Sequence, residues 1–286
     1  MCRKRAFAAT AQMLTPRLLT FGLATAAVLA ASPAFAWGAK PAAPAPAPAA
    51  TAAPAQAPAA PAQTSAPIPA PTKASPATRA EAERLEPLAR AAFWASQVDA
   101  DPKDPEAGLK LAASLRALGR YAESEQAADK VLVLQPQNED ALLEKARTAL
   151  AGGQGFYAIE PIRKALQIAP KDWRAASLLA VALDQSQRPD EALEAHRKAM
   201  EMAPDNAMVL SNAAMFYAAQ GDKAQAETLL RKAVAEPGST LQVRQNLALI
   251  LGLQGKLAEA EKIERDDLPP QMAQANLDYF KAVSAH

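Results

Sequence analysis

Residues 139–172 read EDALLEKARTALAGGQGFYAIEPIRKALQIAPKD, and residues 173–206 read WRAASLLAVALDQSQRPDEALEAHRKAMEMAPDN. Laid over one another without a gap, they align Ala146 with Ala180, Ala158 with Ala192 and Pro170 with Pro204. The step of 34 continues in both directions. Pro102, Pro136, Pro170 and Pro204 keep it, and Pro237 arrives one residue early. Ala112, Ala146, Ala180, Ala214 and Ala248 keep it throughout, as do Ala158, Ala192, Ala226 and Ala260, with Ser124 in the equivalent first place. Gly119, Gly153, Gly221 and Gly255 recur in the same register, and Gln187 fills that position in the remaining repeat. A fixed period of this length marks a stack of identical supersecondary units. Each reads as helix, tight turn, helix: small residues let paired helices approach, glycine eases the turn and proline stops the second helix.

The pattern resembles the tetratricopeptide repeat over about 200 of the 286 residues. The resemblance implies an all-α solenoid, a right-handed superhelix of helix-turn-helix repeats behind a disordered N-terminal segment. Five repeats fill 105–268, starting at Pro105, Glu139, Trp173, Ala207 and Leu241. The aromatic residue usual early in the first helix is missing, and Asp267 replaces the small residue of the last second helix. Residues 79–104 read as a leading half-repeat whose apolar face is Leu85, Leu88, Phe93 and Trp94, and 269–286 as a capping helix with Met272, Leu277, Tyr279 and Phe280. Solenoids need such caps because an open end exposes core.

Two segments at the front stand outside the repeat. Residues 1–36 carry Arg3, Lys4, Arg5 and Arg17, then an uncharged apolar run, Leu18 to Ala31, and close on Ala34-Phe35-Ala36. That is the layout of a secretory signal peptide. The run is shorter than the roughly 20 residues of a spanning helix, so no transmembrane span is expected in the mature chain; retention as an N-terminal anchor is the alternative. Residues 37–78 are nearly all Ala, Pro, Thr, Ser and Gln and cannot form a core. They read either as a polyproline-like spacer, rising about 3 Å per residue, or as plain disorder. The expected location is therefore exported: periplasmic, with outer-membrane association left open.

Composition narrows the chemistry. The single cysteine, Cys2, lies in the basic leader, so the mature chain holds no disulfide framework and no thiol nucleophile. A net charge of +1 with few aromatics argues against nucleic acid. The histidines are His196, in a position filled by Ala128, Ile162 and Leu230 elsewhere, and the terminal His286, so paired-histidine metal spacing is absent and His196 reads as packing. Gly152-Gly153-Gln154-Gly155 lacks the Gly-Lys-Ser/Thr ending of a phosphate loop and falls at an inter-helix turn. No nucleophile, base and orienter stand at workable spacing, so a non-enzyme without cofactor or metal is expected.

What the resemblance implies instead is binding of proteins or peptide segments in a concave groove lined by first helices. The candidate lining is Leu143, Arg147 and Leu150; Arg174, Ser177, Val181 and Asp184; Ser211, Asn212 and Met215; and Gln245, Asn246 and Leu249. Asn212 and Asn246 stand where family members use asparagine to hydrogen-bond an extended ligand, an amide offering donor and acceptor; a capping or solvated role is the alternative. Met215 suits varied apolar ligands or simple packing. The wording of Pro87 to Trp94, Gly155 to Pro161, Gln245 to Gly255 and Asp267 to Pro270 is similar to the TadD group of tight-adherence (Flp) pilus assembly proteins. That likeness implies an envelope accessory binding a secretin or pilus-assembly subunits. Members of that group are often lipid-anchored, and this chain has no cysteine at a lipidation site. The alternative is a periplasmic chaperone or scaffold for an envelope polysaccharide synthesis or export system.

Overall fold

A computed structural model describes residues 72–284; the signal-like leader and most of the Ala/Pro-rich segment lie outside them. The described residues contain thirteen α-helices and no strand, and they form a tetratricopeptide-like helical solenoid. A leading hairpin, α1 (Pro76–Ala82) and α2 (Pro87–Ala100), is followed by five helix pairs. These are α3 (Pro105–Ala117) with α4 (Tyr121–Leu134), α5 (Glu139–Ala151) with α6 (Gly155–Ile168), and α7 (Trp173–Gln185) with α8 (Pro189–Met202). Then come α9 (Ala207–Ala219) with α10 (Lys223–Ala235), and α11 (Leu241–Leu253) with α12 (Leu257–Asp267); α13 (Pro270–Ser284) closes the chain.

Each helix boundary has a local cause. The residue before every first helix caps it with a side-chain oxygen: Asp104, Asn138, Asp172, Asn206 and Thr240 accept from amides two or three residues on. This satisfies N–H groups that the helix itself cannot. Every first helix ends with a six-to-one backbone bond, such as Gln154 N–H to Ala149 O at 2.8 Å and Arg188 N–H to Leu183 O at 3.0 Å. That closure needs a left-handed residue. Glycine supplies it in four repeats, with φ between 72° and 89°, and Gln187 adopts φ 59° in the other.

The recurrent alanines form the crossing points. Ala112, Ala146, Ala180, Ala214 and Ala248 have no exposed surface, nor do Ala158, Ala192, Ala226 and Ala260. Ser124, in the odd first place, is buried by donating to Ala112 O at 2.8 Å and meeting Thr148 Oγ1 at 2.8 Å. Consecutive first helices touch side by side, α3 with α5 through to α9 with α11, while second helices make no comparable contact. Repeats closer on one side than the other must bend. The first helices therefore lie on the inner arc and the second helices splay on the outer one.

The ends differ from the sequence reading in particular ways. The leading hairpin begins at Pro76, not Arg79, because Ser75 Oγ accepts from Thr78 N–H and proline suits the first helical position. Arg79 is buried against Trp94, 5.6 Å from its ring, and bonds Asp104 at 2.6 Å and Glu106 at 2.7 Å. Burial acts to raise the Asp104 carboxyl, but hydrogen bonds from Arg79, the Ala107 amide and Lys73 outweigh it and hold it at about 2. Of the expected apolar face only Trp94 is buried; Phe93 is partly covered, and Leu85 and Leu88 are exposed. At the other end Leu277 and Phe280 are buried and Met272 and Tyr279 exposed. Phe280 seats on Gly252, where a Cβ would lie 2.4 Å from its ring. Glu264, also buried, takes a 2.8 Å bond from Asn276 and ties α12 to α13.

Replacing Gln187 by glycine removes a non-glycine residue from the left-handed region at an exposed turn. The variant should gain about 1 kcal/mol in denaturant unfolding, less the extra backbone entropy of glycine. A loss of stability would mean that the Gln187 side chain contributes more than its backbone conformation costs.

Candidate functional site

The inner arc is built from one face of each first helix, residues spaced three and four apart. In α7 that face carries Arg174, Ser177, Val181 and Asp184; in α9, Ser211, Asn212 and Met215; in α11, Gln245, Asn246 and Leu249. Val181, Met215 and Leu249 occupy the same register position, each partly exposed, and form an apolar row along the arc. Arg147 continues the row in α5.

Leu143 does not belong to it. It is fully buried within the packing of α5, α6 and α7, and Leu150 is nearly so. The same register holds serine in the next two repeats, and the difference is one of volume. A leucine there fills the space between first helices. Ser177 and Ser211 are buried as well, at 3% and 4% exposed, but their smaller volume leaves room that the following repeat fills with asparagine. Asn212 Nδ2 donates to Ser177 Oγ at 3.0 Å, and Asn246 Nδ2 donates to Ser211 Oγ at 3.0 Å. These two rungs, each spanning 35 residues, were not among the roles expected for the asparagines. A serine followed 35 positions later by asparagine, twice over, is the signal that reveals them. The donors are thereby committed. Asn246 Oδ1 also accepts from Gln242 at 2.9 Å, while Asn212 Oδ1 has no bonded partner among the described residues.

The charged members of the face are mostly spoken for. Arg147 lies 3.5 Å from Glu144, whose buried carboxylate is held at 2.7 Å by Arg116 of the preceding repeat. Arg174 binds Asp172 at 3.0 Å, Asp140 at 2.9 Å and Glu139 at 3.2 Å, clasping two repeats together. Asp184 is different: it is half-buried with no bonded partner, and burial pushes its carboxyl above the usual range. Gln245 Nε2 and Gln185 Oε1 are buried polar atoms that also lack partners among the described residues.

His196 lies off this face. It is 1% exposed, packed 5.0 Å from Phe216 ring to ring, and burial lowers it to about 4, so it is neutral and has no route to a ligand. On the outer arc, the splay of α6 and α8 opens a cavity of about 410 Å³ over α7. Its floor is Leu166, Leu179 and Leu183, and charged side chains, Arg163, Asp190 and Glu194 among them, line its rim. Among the described residues no cluster of His, Cys, Asp and Glu could hold a metal, and no helix is long and apolar enough to cross a membrane.

A sequence model of the tetratricopeptide repeat matches residues 185–240, which spans the second half of one repeat and all of the next. A search of curated proteins found no match. Among solved structures, a thermophilic tetratricopeptide-repeat protein of Thermus thermophilus is 26% identical with a TM-score of 0.53. The match covers 63% of this chain and 97% of that one. A tetratricopeptide-repeat protein of Parabacteroides merdae is 16% identical with a TM-score of 0.60, covering 74% of this chain and 86% of that one. Both likenesses are to the repeat fold.

Because His196 is neutral when folded and titrates near 6.5 when unfolded, its contribution to stability is complete above pH 6.5. It is lost as pH falls from there to about 4. The loss should approach about 3 kcal/mol by linkage, and His196→Leu, matching Leu230 in the next repeat, should remove it. Unfolding free energies at pH 7 and pH 4.5 for both proteins check this; equal pH dependence would show that His196 is not the group responsible.

Proposed function

We propose that this chain is an exported scaffold of the cell envelope that holds an extended segment of another protein along its inner arc, in the service of a Flp/Tad-type pilus or secretion machine. The carrying observation is the row Val181, Met215 and Leu249, partly exposed, regularly spaced and flanked by serine–asparagine rungs. Partly exposed apolar side chains at a fixed step, with asparagine amides beside them, match an extended partner by alternate burial and hydrogen bonding. Tetratricopeptide solenoids act by holding proteins, which agrees with such a row. The step from scaffold to pilus rests on the likeness of four sequence segments to the TadD group, and the exported location on the leader.

The test is crosslinking and affinity purification from cell envelopes, comparing wild type with a Val181→Lys, Met215→Lys, Leu249→Lys variant. The three sites keep some exposure, so each lysine can carry its ammonium to solvent, and a melting curve checks that the variant is folded. A secretin or pilus-assembly subunit should co-purify with wild type and not with the variant. Equal recovery by both proteins would defeat the inner-arc assignment. Recovery of a polysaccharide synthase from wild type alone would keep the scaffold and replace the pathway.

A further inference from the structure

The three helices α7, α9 and α11 form the middle and far part of the inner arc, and they are nearly free of charge. Helix α9 carries no ionisable acid or base other than Tyr217. Helix α11 carries Arg244, bound to Asp267 at 2.8 Å. Helix α7 carries Arg174, clasped by three carboxylates at its N-terminal end, and Asp184 near its C-terminal end. Asp184 is thus the charge on this stretch that no described residue answers.

No cation from the packed neighbours answers it. On α5, Lys145 binds Asp129 at 2.7 Å and Arg147 lies on Glu144. On α6, Lys164 binds Glu160 at 2.5 Å; at the start of α8, Arg188 is held by Glu191 at 2.6 Å; and neither Arg163 of α6 nor Arg197 or Lys198 of α8 pairs with Asp184. A half-buried carboxylate without a counter-charge is destabilising to the fold that contains it, because burial penalises the ionised form. Such a group is retained at little cost when a ligand supplies the missing charge. On its own helix the face it shares carries the uncharged Ser177 and Val181, and the adjacent α9 holds no acid or base but Tyr217.

We propose that Asp184 is the specificity-determining residue of the inner arc, receiving a lysine or arginine side chain from an otherwise neutral, extended segment of the partner protein. The proposal rests on the inner-arc reading above and adds the chemistry of the occupant. The cation would meet Asp184 between α7 and α9, and the apolar row would cover neighbouring side chains. A carboxylate–ammonium or carboxylate–guanidinium contact in a partly desolvated groove is a strong hydrogen bond, so its direction of preference should be sharp.

The probe is a displayed library of random short peptides, selected on the purified wild-type chain, on Asp184→Asn and on Met215→Lys. Wild type should select peptides with lysine or arginine at one fixed position, and Asp184→Asn should lose that preference. A selected peptide should bind Asp184→Asn about tenfold or more weakly than wild type, and replacing its cation by norleucine should erase the difference. Asp184→Asn should also melt no lower than wild type at neutral pH, since it removes an uncompensated charge. Selection of wild-type peptides without a positional cation, or equal binding by Asp184→Asn, overturns the assignment of Asp184 and leaves the groove standing provided Met215→Lys abolishes binding. Lower melting of Asp184→Asn would make Asp184 structural and likewise overturn it. If wild type selects no peptide that Met215→Lys fails to bind, the inner-arc reading falls and this inference with it.

Discussion

The methyl groups of Ala146, Ala180, Ala214 and Ala248 sit without exposed surface where each first helix crosses its partner, and Ala158, Ala192, Ala226 and Ala260 meet them from the second helices. Nothing larger fits such a crossing without displacing backbone, at a typical cost of about 1 to 3 kcal/mol for each overpacked site. The constraint fixes the spacing of the two helices, and with it the turn that joins them and the surface left for the next repeat. Because the same crossing recurs every 34 residues, each repeat presents its neighbour with the same surface. The solenoid then propagates by nearest-neighbour contact.

What distinguishes one part of the solenoid from another lies between repeats rather than within them. Toward the N-terminal end the junctions are made by ion pairs: Arg79 with Asp104, Arg116 with Glu144, Arg174 with Glu139 and Asp140. From α7 onward the inner junctions change to neutral rungs, Ser177 with Asn212 and Ser211 with Asn246. The inner arc consequently passes from a charged, internally satisfied stretch to a neutral one with polar atoms still available. The outer cavity over α7 belongs to the splay of second helices.

The repeat was legible because sterics at the crossing and the left-handed turn admit few residue types, so alanine and glycine recur at one step. First helices start at Pro105, Glu139, Trp173, Ala207 and Leu241, the residues at which that step begins each repeat. The capping series Asp104, Asn138, Asp172, Asn206 and Thr240 stands in the sequence too, two or three residues behind the proline that marks each boundary. The site was less legible. Register alone placed Leu143, Ser177 and Ser211 on the groove, yet all three are buried, the leucine packed in the core and the serines bonded to asparagines of the next repeat. Leu85, Leu88, Met272 and Tyr279 failed for a related reason. At the ends of a stack only one side of a helix has a neighbour, so apolar character no longer implies burial.

The inner arc and the outer cavity make opposite demands on where a partner contacts the chain. Site-specific photo-crosslinking in living cells, with the reactive side chain placed once at Met215 and once at Ala195, separates them directly. The account predicts a discrete crosslinked partner from position 215 and none from position 195. Crosslinks from 195 with position 215 silent would contradict it and move the binding surface to the outer arc.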